Sequence, residues 1–350
     1  MDLYMCSTLR HFMFALLRAS KNAEQNSLII VILDQQGLDE KQFDLSTLPR
    51  SVSVKFVNRK LLLRRVYRGL LGFAHKLYAT ALISSTYFKR RTRKLVLEDE
   101  LGFDQNTEIS LFLFNDRNRL ARLLRHLVNQ YQVIEDGLSN YSGSPLSAIE
   151  RLFSINRQNR YFGDDVRCTN IFLLNKDSAP KAINSKVSTI DFVDTDIVND
   201  FLLPIFKVDR SSLDHLPQVL IATQPISIAG MSKSEVTLKV YQEVVNKLKK
   251  DNISYQFKVH PRENEDKYRE FFPMATFVDS KTPLELLLFS QRRKLNIVSI
   301  YSSAGMGFEK FCNRITLIDD EEAERQGEIY LKWSKSMNGV KRRLEDLNFD

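Results

Sequence analysis

The sequence predicts an α/β protein built from two Rossmann-like domains. Three observations carry this reading. Apolar runs of strand length alternate with stretches of helical period, the alternation stops and restarts near the middle, and 350 residues suffice for two separate cores. In order, "DLYMCST" reads as a strand, "LRHFMFALLRASKNA" as a helix, and "SLIIVILD" and "SVSVKFV" as strands. A long helix through "KLLLRRVYRGLLGFAHKLYATALI" precedes the strand "EISLFLFN", the helix "RNRLARLLRHLVNQY" and a strand that closes on "QVIEDG". "CTNIFLLN" and "STIDFV" extend this half, and "VNDFLLPIFKVDRSSLDHLPQ" connects it to the next. There "VLIATQP" restarts the pattern with the helix "SKSEVTLKVYQEVVNKLKKDN" and the strand of "SYQFKVHPRE". "DKYREFF", "ATFVDS" and "TPLELLLFSQRRK" follow, then a strand in "NIVSIYSSAGMGFEKF" that passes through a glycine turn into a helix, then "ITLIDD". One last helix runs through "EIYLKWSKSMNGVKRRLEDL". The expected domains are residues 1–205 and 206–350, facing each other across a cleft, with ligands outside the carboxyl ends of the strands.

Composition narrows the class. With 43% hydrophobic and 27% charged residues the chain is globular rather than disordered. Cys6, Cys168 and Cys312 are far apart with no CxxC, which excludes a disulfide framework or structural zinc site and fits a reducing cytoplasm. Arg10 and His11 interrupt the first apolar run and no cleavage site follows, so no signal peptide is expected. Nowhere are there about 18 uninterrupted apolar residues, so no membrane span is expected either. The net charge of +8 is unevenly placed: residues 45–97 hold thirteen Lys and Arg and no acid, leaving −5 for the rest. Such a segment suits an anionic membrane surface or a polyanionic substrate, while its bland reading is a solvated helix face. Nucleic acid is not expected, because no binding motif accompanies the charge.

Four clusters fall at expected strand ends. Glu135 and Asp136 stand side by side before Gly137; alone they read as an acidic turn, but paired carboxylates split their pKa values and one can serve as a general base. In "KVHPRE", Lys258, His260 and Arg262 surround a strand end fixed by Pro261, which suits an anionic ligand. Ser302 and Ser303 enter the glycine turn, where hydroxyls and a helix N-terminus would cradle phosphate. Thr223, Gln224 and Ser227 in "TQPIS" mark another strand end. His11, His75, His126 and His215 read as structural, and Trp333 as packing.

With these clusters in view, the chain resembles the bacterial sialyltransferases of glycosyltransferase family 52, and next the family 38 polysialyltransferases. The resemblance rests on "EDG" at 135–137, "HP" at 260–261 and the pair Ser302-Ser303, with "CSTLRHFMFALL" and "TQP" in matching places. It implies a GT-B fold, with an N-terminal acceptor domain and a C-terminal domain for CMP-sialic acid. It assigns the acceptor base to Glu135 or Asp136, of which we slightly prefer Glu135, and phosphate contacts to His260, Ser302 and Ser303. Lys258, Pro261, Thr223 and Gln224 would join the donor site, with Glu285 at the ribose, while Gly137, Ser7 and Thr8 fall on the acceptor side. It also implies transfer with inversion to a lipooligosaccharide-type glycan at the inner membrane, with no metal or cofactor. Asp194 to Asp196 form a DTD outside the donor half, so a metal role is not expected there. Competing expectations are a capsular polysialyltransferase, a CMP-Kdo transferase and a non-catalytic polyanion-binding protein. The oligomeric state, a homodimer included, is left open.

Overall fold

The apolar runs become parallel strands, most of them buried on both faces, as helix-covered sheets require. The computed structural model describes residues 1–350 apart from 23, 82–84, 147–158, 194–200, 214, 215, 226–232, 292, 303, 320 and 350. It divides into two units, Met1–Lys207 and Val208–Asp350. The expected DTD at 194–196, His215, Ser227 and Ser303 lie outside the described residues.

The first unit holds β1 (Asp2–Cys6), β2 (Ser27–Ile32), β3 (Val52–Val57), β4 (Ser110–Leu113), β5 (Tyr131–Ile134), β6 (Cys168–Leu173) and β7 (Val187–Thr189). Their order is β3-β2-β1-β4-β5-β6-β7, all parallel. Every residue of β1 and β2 is buried, whereas the edge strand β3 alternates between buried and exposed. Helix α1 (Leu9–Lys21) follows β1; Thr8 caps it by accepting from the His11 N–H, and Arg18 and Lys21 in the last turn suit its negative end.

The long helix expected over 60–83 is broken. It forms α2 (Arg59–Val66) and α3 (Gly69–Ala81), because Gly69 takes a left-handed φ of 72° between them. Helix α4 (Thr86–Thr92) then runs on into a π-helical turn, Arg93–Glu98, and α5 (Arg119–Leu124) follows β4.

In the second unit, β8 (Val219–Ala222), β9 (Tyr255–Lys258), β10 (Thr276–Val278), β11 (Leu295–Ser299) and β12 (Cys312–Thr316) lie in the order β10-β9-β8-β11-β12, again all parallel. Helices α6 (Lys233–Lys250), α7 (Glu265–Phe271), α8 (Leu284–Phe289), α9 (Gln326–Lys335) and α10 (Asn338–Glu345) accompany them. Its core joins Val219, Phe257, Tyr241, Val298 and Trp333, so Trp333 is indeed packing. The terminal helix is two helices rather than one.

The helix expected after the serine pair is absent among the described residues: the chain turns through 304–311 directly into β12. Gly305 and Gly307 have φ of 75° and 81°, which a right-handed helix cannot accommodate. A Cβ on Gly305 would come within 2.7 Å of the Cys312 sulfur. In each unit the chain crosses from one side of the first strand to the other, at β1/β4 and at β8/β11, the places where such sheets open a ligand crevice.

Candidate active site

In the first unit the polar groups gather at the carboxyl ends of β1, β4 and β5. The two adjacent carboxylates have opposite surroundings. Glu135 is 1% exposed. Arg10 of α1 donates to its Oε1 at 2.8 Å, and the Tyr141 hydroxyl and the Leu174 N–H, the latter at 2.8 Å, donate to Oε2. The Asp136 side chain keeps 25% of its surface open to solvent. Gly137 has φ 145°, a conformation that favours glycine, and the Asn140 side chain accepts from the Asp136 and Gly137 N–H groups at 2.8 and 3.2 Å. The turn is therefore held from below while Asp136 faces outward.

Asp136 has a partner that the sequence did not reveal. The Nε2 of His11 lies 2.5 Å from its Oδ1, and Asn115 donates to its Oδ2 at 3.5 Å. His11 is 2% exposed, its ring stacked on Phe114 with centroids 4.2 Å apart. The backbone N–H of Ser7 donates to Nδ1 of His11 at 3.2 Å, so a neutral ring carries its proton on Nε2 and donates it to Asp136. Burial works against a charged Asp136, but the attraction and hydrogen bond of His11, with help from Asn115 and Arg10, hold its pKa below the usual carboxylate value. His11, read from sequence as structural, is thus the hydrogen-bond partner of Asp136. Ser7 and Thr8 act on the site through His11, one binding its ring and the other capping its helix.

In the second unit the groups gather at the ends of β8, β9 and β11. The His260 N–H donates to Thr223 Oγ1 at 2.9 Å, and Thr223 donates in turn to Glu263 at 2.5 Å. Tyr268 donates to the other Glu263 oxygen at 2.8 Å. Burial raises the Glu263 pKa against these hydrogen bonds. Nδ1 of His260 accepts the Arg262 N–H at 3.1 Å, which leaves Nε2 as the donor of a neutral ring. Burial, then the cations Arg262 and Lys258, push its pKa down to about 4, so it is neutral at physiological pH. Across the crevice, Gln224 accepts the Tyr301 N–H at 3.0 Å, and Arg314 donates to the carbonyls of Ser302 and Ala304 at 2.8 and 3.1 Å. These contacts tie the serine turn to the end of β8 through Gln224 and to β12 through Arg314.

Two expected donor-site residues are placed differently. Lys258 is 7% exposed and its ammonium donates to the carbonyls of Asp279 and Ser280 at 3.0 and 2.8 Å. Burial lowers its pKa to about 8, and it fastens the end of β10 rather than facing solvent. Glu285 is also buried, in the first turn of α8, close enough to Lys258 to influence its charge. Glu263 and Arg314, which set the HP and serine turns, were not singled out from sequence; Glu263 stands three residues after the histidine. Among the described residues no group of three His, Cys, Asp or Glu side chains is placed to hold a metal ion.

Two Rossmann-like units, each with polar groups gathered at its crevice, define an enzyme of the GT-B fold class. The chain belongs to glycosyltransferase family 52, whose family model matches residues 76–321, a span that includes the EDG and HP turns and Ser302. It is a glycosyltransferase, as the sequence resemblance implies. No curated protein sequence matches it significantly. Among solved structures it is similar to an α/β-galactoside α-2,3-sialyltransferase from Photobacterium phosphoreum, at 14% identity and TM-score 0.51, covering 99% of each chain. It is also similar to the GT-B domain of a sialyltransferase from Photobacterium damselae, at 12% identity and TM-score 0.51, covering 98% of each. A UDP-GlcNAc 2-epimerase from Neisseria meningitidis has 12% identity and TM-score 0.50, over 100% of this chain and 95% of that one. At such identities the likeness is one of fold. No helix among the described residues is long and apolar enough to cross a membrane.

Proposed function

We propose that the protein is an inverting sialyltransferase that moves sialic acid from CMP-sialic acid to a hydroxyl of a lipooligosaccharide-type surface glycan. One observation carries the assignment of roles: of the two carboxylates, Glu135 is buried in an ion pair and Asp136 faces outward on His11. Asp136 is therefore the base. It takes the proton of the acceptor hydroxyl as that oxygen attacks the anomeric carbon, while the bond from that carbon to the phosphate oxygen breaks and CMP departs.

His11 donates to Asp136 and keeps one oxygen turned to its task. In the second unit, His260 offers its Nε2–H to the departing phosphate, and the hydroxyl of Ser302 adds a second donor. An imidazole and hydroxyls can stabilise that leaving group without a metal. Phosphate charge arriving beside His260 raises its proton affinity, so it can also hand over a proton once the donor is bound.

The test is a screen of CMP-sugar donors against galactosides and sialosides with the wild type and Asp136→Asn. CMP-sialic acid should support transfer that Asp136→Asn loses while still binding CMP. Transfer from CMP-Kdo alone would replace the donor, growth of long products on a sialoside would make the protein a polysialyltransferase, and no turnover with any CMP-sugar would refute the proposed donor class.

A further inference from the structure

We infer that the α2–α4 surface of the first unit docks on an anionic phospholipid bilayer, with the apolar stripe of α3 entering the headgroup layer. Leu70, Phe73 and Leu77 stand one face apart on α3, at spacings of three and four, and are 91%, 59% and 53% exposed. Leu61 on α2 and Tyr87 on α4 are exposed as well, at 60% and 56%. The opposite face of α3 is already satisfied: His75 is fully buried, stacks on Phe88 of α4 at 4.7 Å and shares a 3.0 Å hydrogen bond with Thr92. The helix is thus anchored with its apolar stripe turned to solvent. Exposed apolar residues are ordinary when scattered, but not when seven, Leu71 and Tyr78 included, fall within three consecutive helices.

Charge selects the occupant. The stripe sits in the segment 45–97, which has thirteen cations and no acid. Lys60, Arg64, Arg68, Lys76, Arg90 and Lys94 are exposed within it. A second copy of the same face would set these cations against one another. A soluble polyanion would match the charge but leave Leu70, Phe73 and Leu77 in water. An anionic bilayer supplies both a negative surface and an apolar layer within reach of one helix. The inference does not depend on which sugar is transferred, and inactive protein that docks would leave it standing.

The experiment is flotation of the full chain with vesicles of phosphatidylglycerol and phosphatidylethanolamine, against phosphatidylcholine alone, at low and high salt. Wild type should float with the anionic vesicles and release at high salt. The triple variant Leu70→Ser, Phe73→Ser, Leu77→Ser should partition about tenfold less or weaker still. As a second measurement, Leu70→Cys can carry a polarity-sensitive dye selectively, because Cys6, Cys168 and Cys312 are buried. Its emission should shift to the blue on adding anionic vesicles and not on adding polysialic acid. Three outcomes would overturn the inference: wild type that ignores anionic vesicles, a triple variant that floats as well as wild type, or a wild-type dimer that the triple variant dissolves. Dye emission unchanged on floating protein would equally remove α3 from the contact.

Discussion

Replacing Glu135 and Asp136 separately tests whether one is an anchor and the other a base. Glu135 accepts from Arg10, Tyr141 and Leu174, all donors, within a nearly water-free site. In Glu135→Gln the amide nitrogen meets a donor whichever way it turns, and the Arg10 guanidinium no longer faces a charged carboxylate there. Breaking a buried ion pair from one side costs about 3–5 kcal/mol. For a unit of about 200 residues that lowers the melting temperature by roughly 6–20 °C. Asp136→Asn keeps the size of a side chain that is partly in water, so its melting temperature should move by no more than a few degrees, while transfer falls by about 10²–10⁴ as general-base loss predicts. The assay pairs a thermal melt with initial rates and CMP binding by calorimetry. A Glu135→Gln protein that melts like wild type but is inactive, beside an active Asp136→Asn, would reverse the roles and refute the reasoning.

Other consequences follow from the same geometry. In His11→Asn the attraction that holds the Asp136 pKa down is lost while burial remains, so the acid limb of the rate profile should move to higher pH; an unmoved limb with a lower rate would make His11 a packing residue only. His75 and His126 are held to about 4, by burial first and then by neighbouring cationic groups, against an ordinary 6.5. The native state thus refuses protons that the unfolded chain accepts, so their contribution to stability is complete above pH 6.5 and is lost as the pH falls towards 4. At pH 5 each accounts for about 2 kcal/mol, and His75→Gln should flatten the melting temperature between pH 7.5 and 5; an equally steep profile would place the titration elsewhere. Transfer should survive excess EDTA, and activity lost to the chelator and restored by magnesium or manganese would demand a cation at the phosphate.

The fold was legible because its signal is local: strand-length apolar runs and helical periods survive in any context. Where local signals were read too far, glycine decided otherwise, as at Gly69 in the long helix and at Gly305 and Gly307 after Ser302. The acidic and HP motifs were legible for the same reason, each within a few neighbouring residues. What could not be read was pairing across the sheet. His11 and Asp136 are 125 residues apart, and only the order β1-β4-β5 brings them within a hydrogen bond. The helical period of α1 does place His11 inside, but a buried imidazole needs a polar partner, and the period says nothing about which. One clue was present: Thr8 three residues ahead is a helix cap, which fixes His11 in the first turn, facing the strand ends.

The placing of Lys258 could not be read from sequence for a related reason. A cation at the end of a strand covered on both faces must find oxygen nearby or lose its charge, and the carbonyls after β10 supply it. The same logic separates the two carboxylates of the EDG turn. Just past β5 the chain buries Glu135, which Arg10, Tyr141 and Leu174 hold, and leaves Asp136 partly open to solvent beside His11. In the proposed mechanism the slight preference for Glu135 drawn from sequence therefore gives way to Asp136: the first acid of the motif holds the turn to α1, and the second is the one proposed to meet the acceptor.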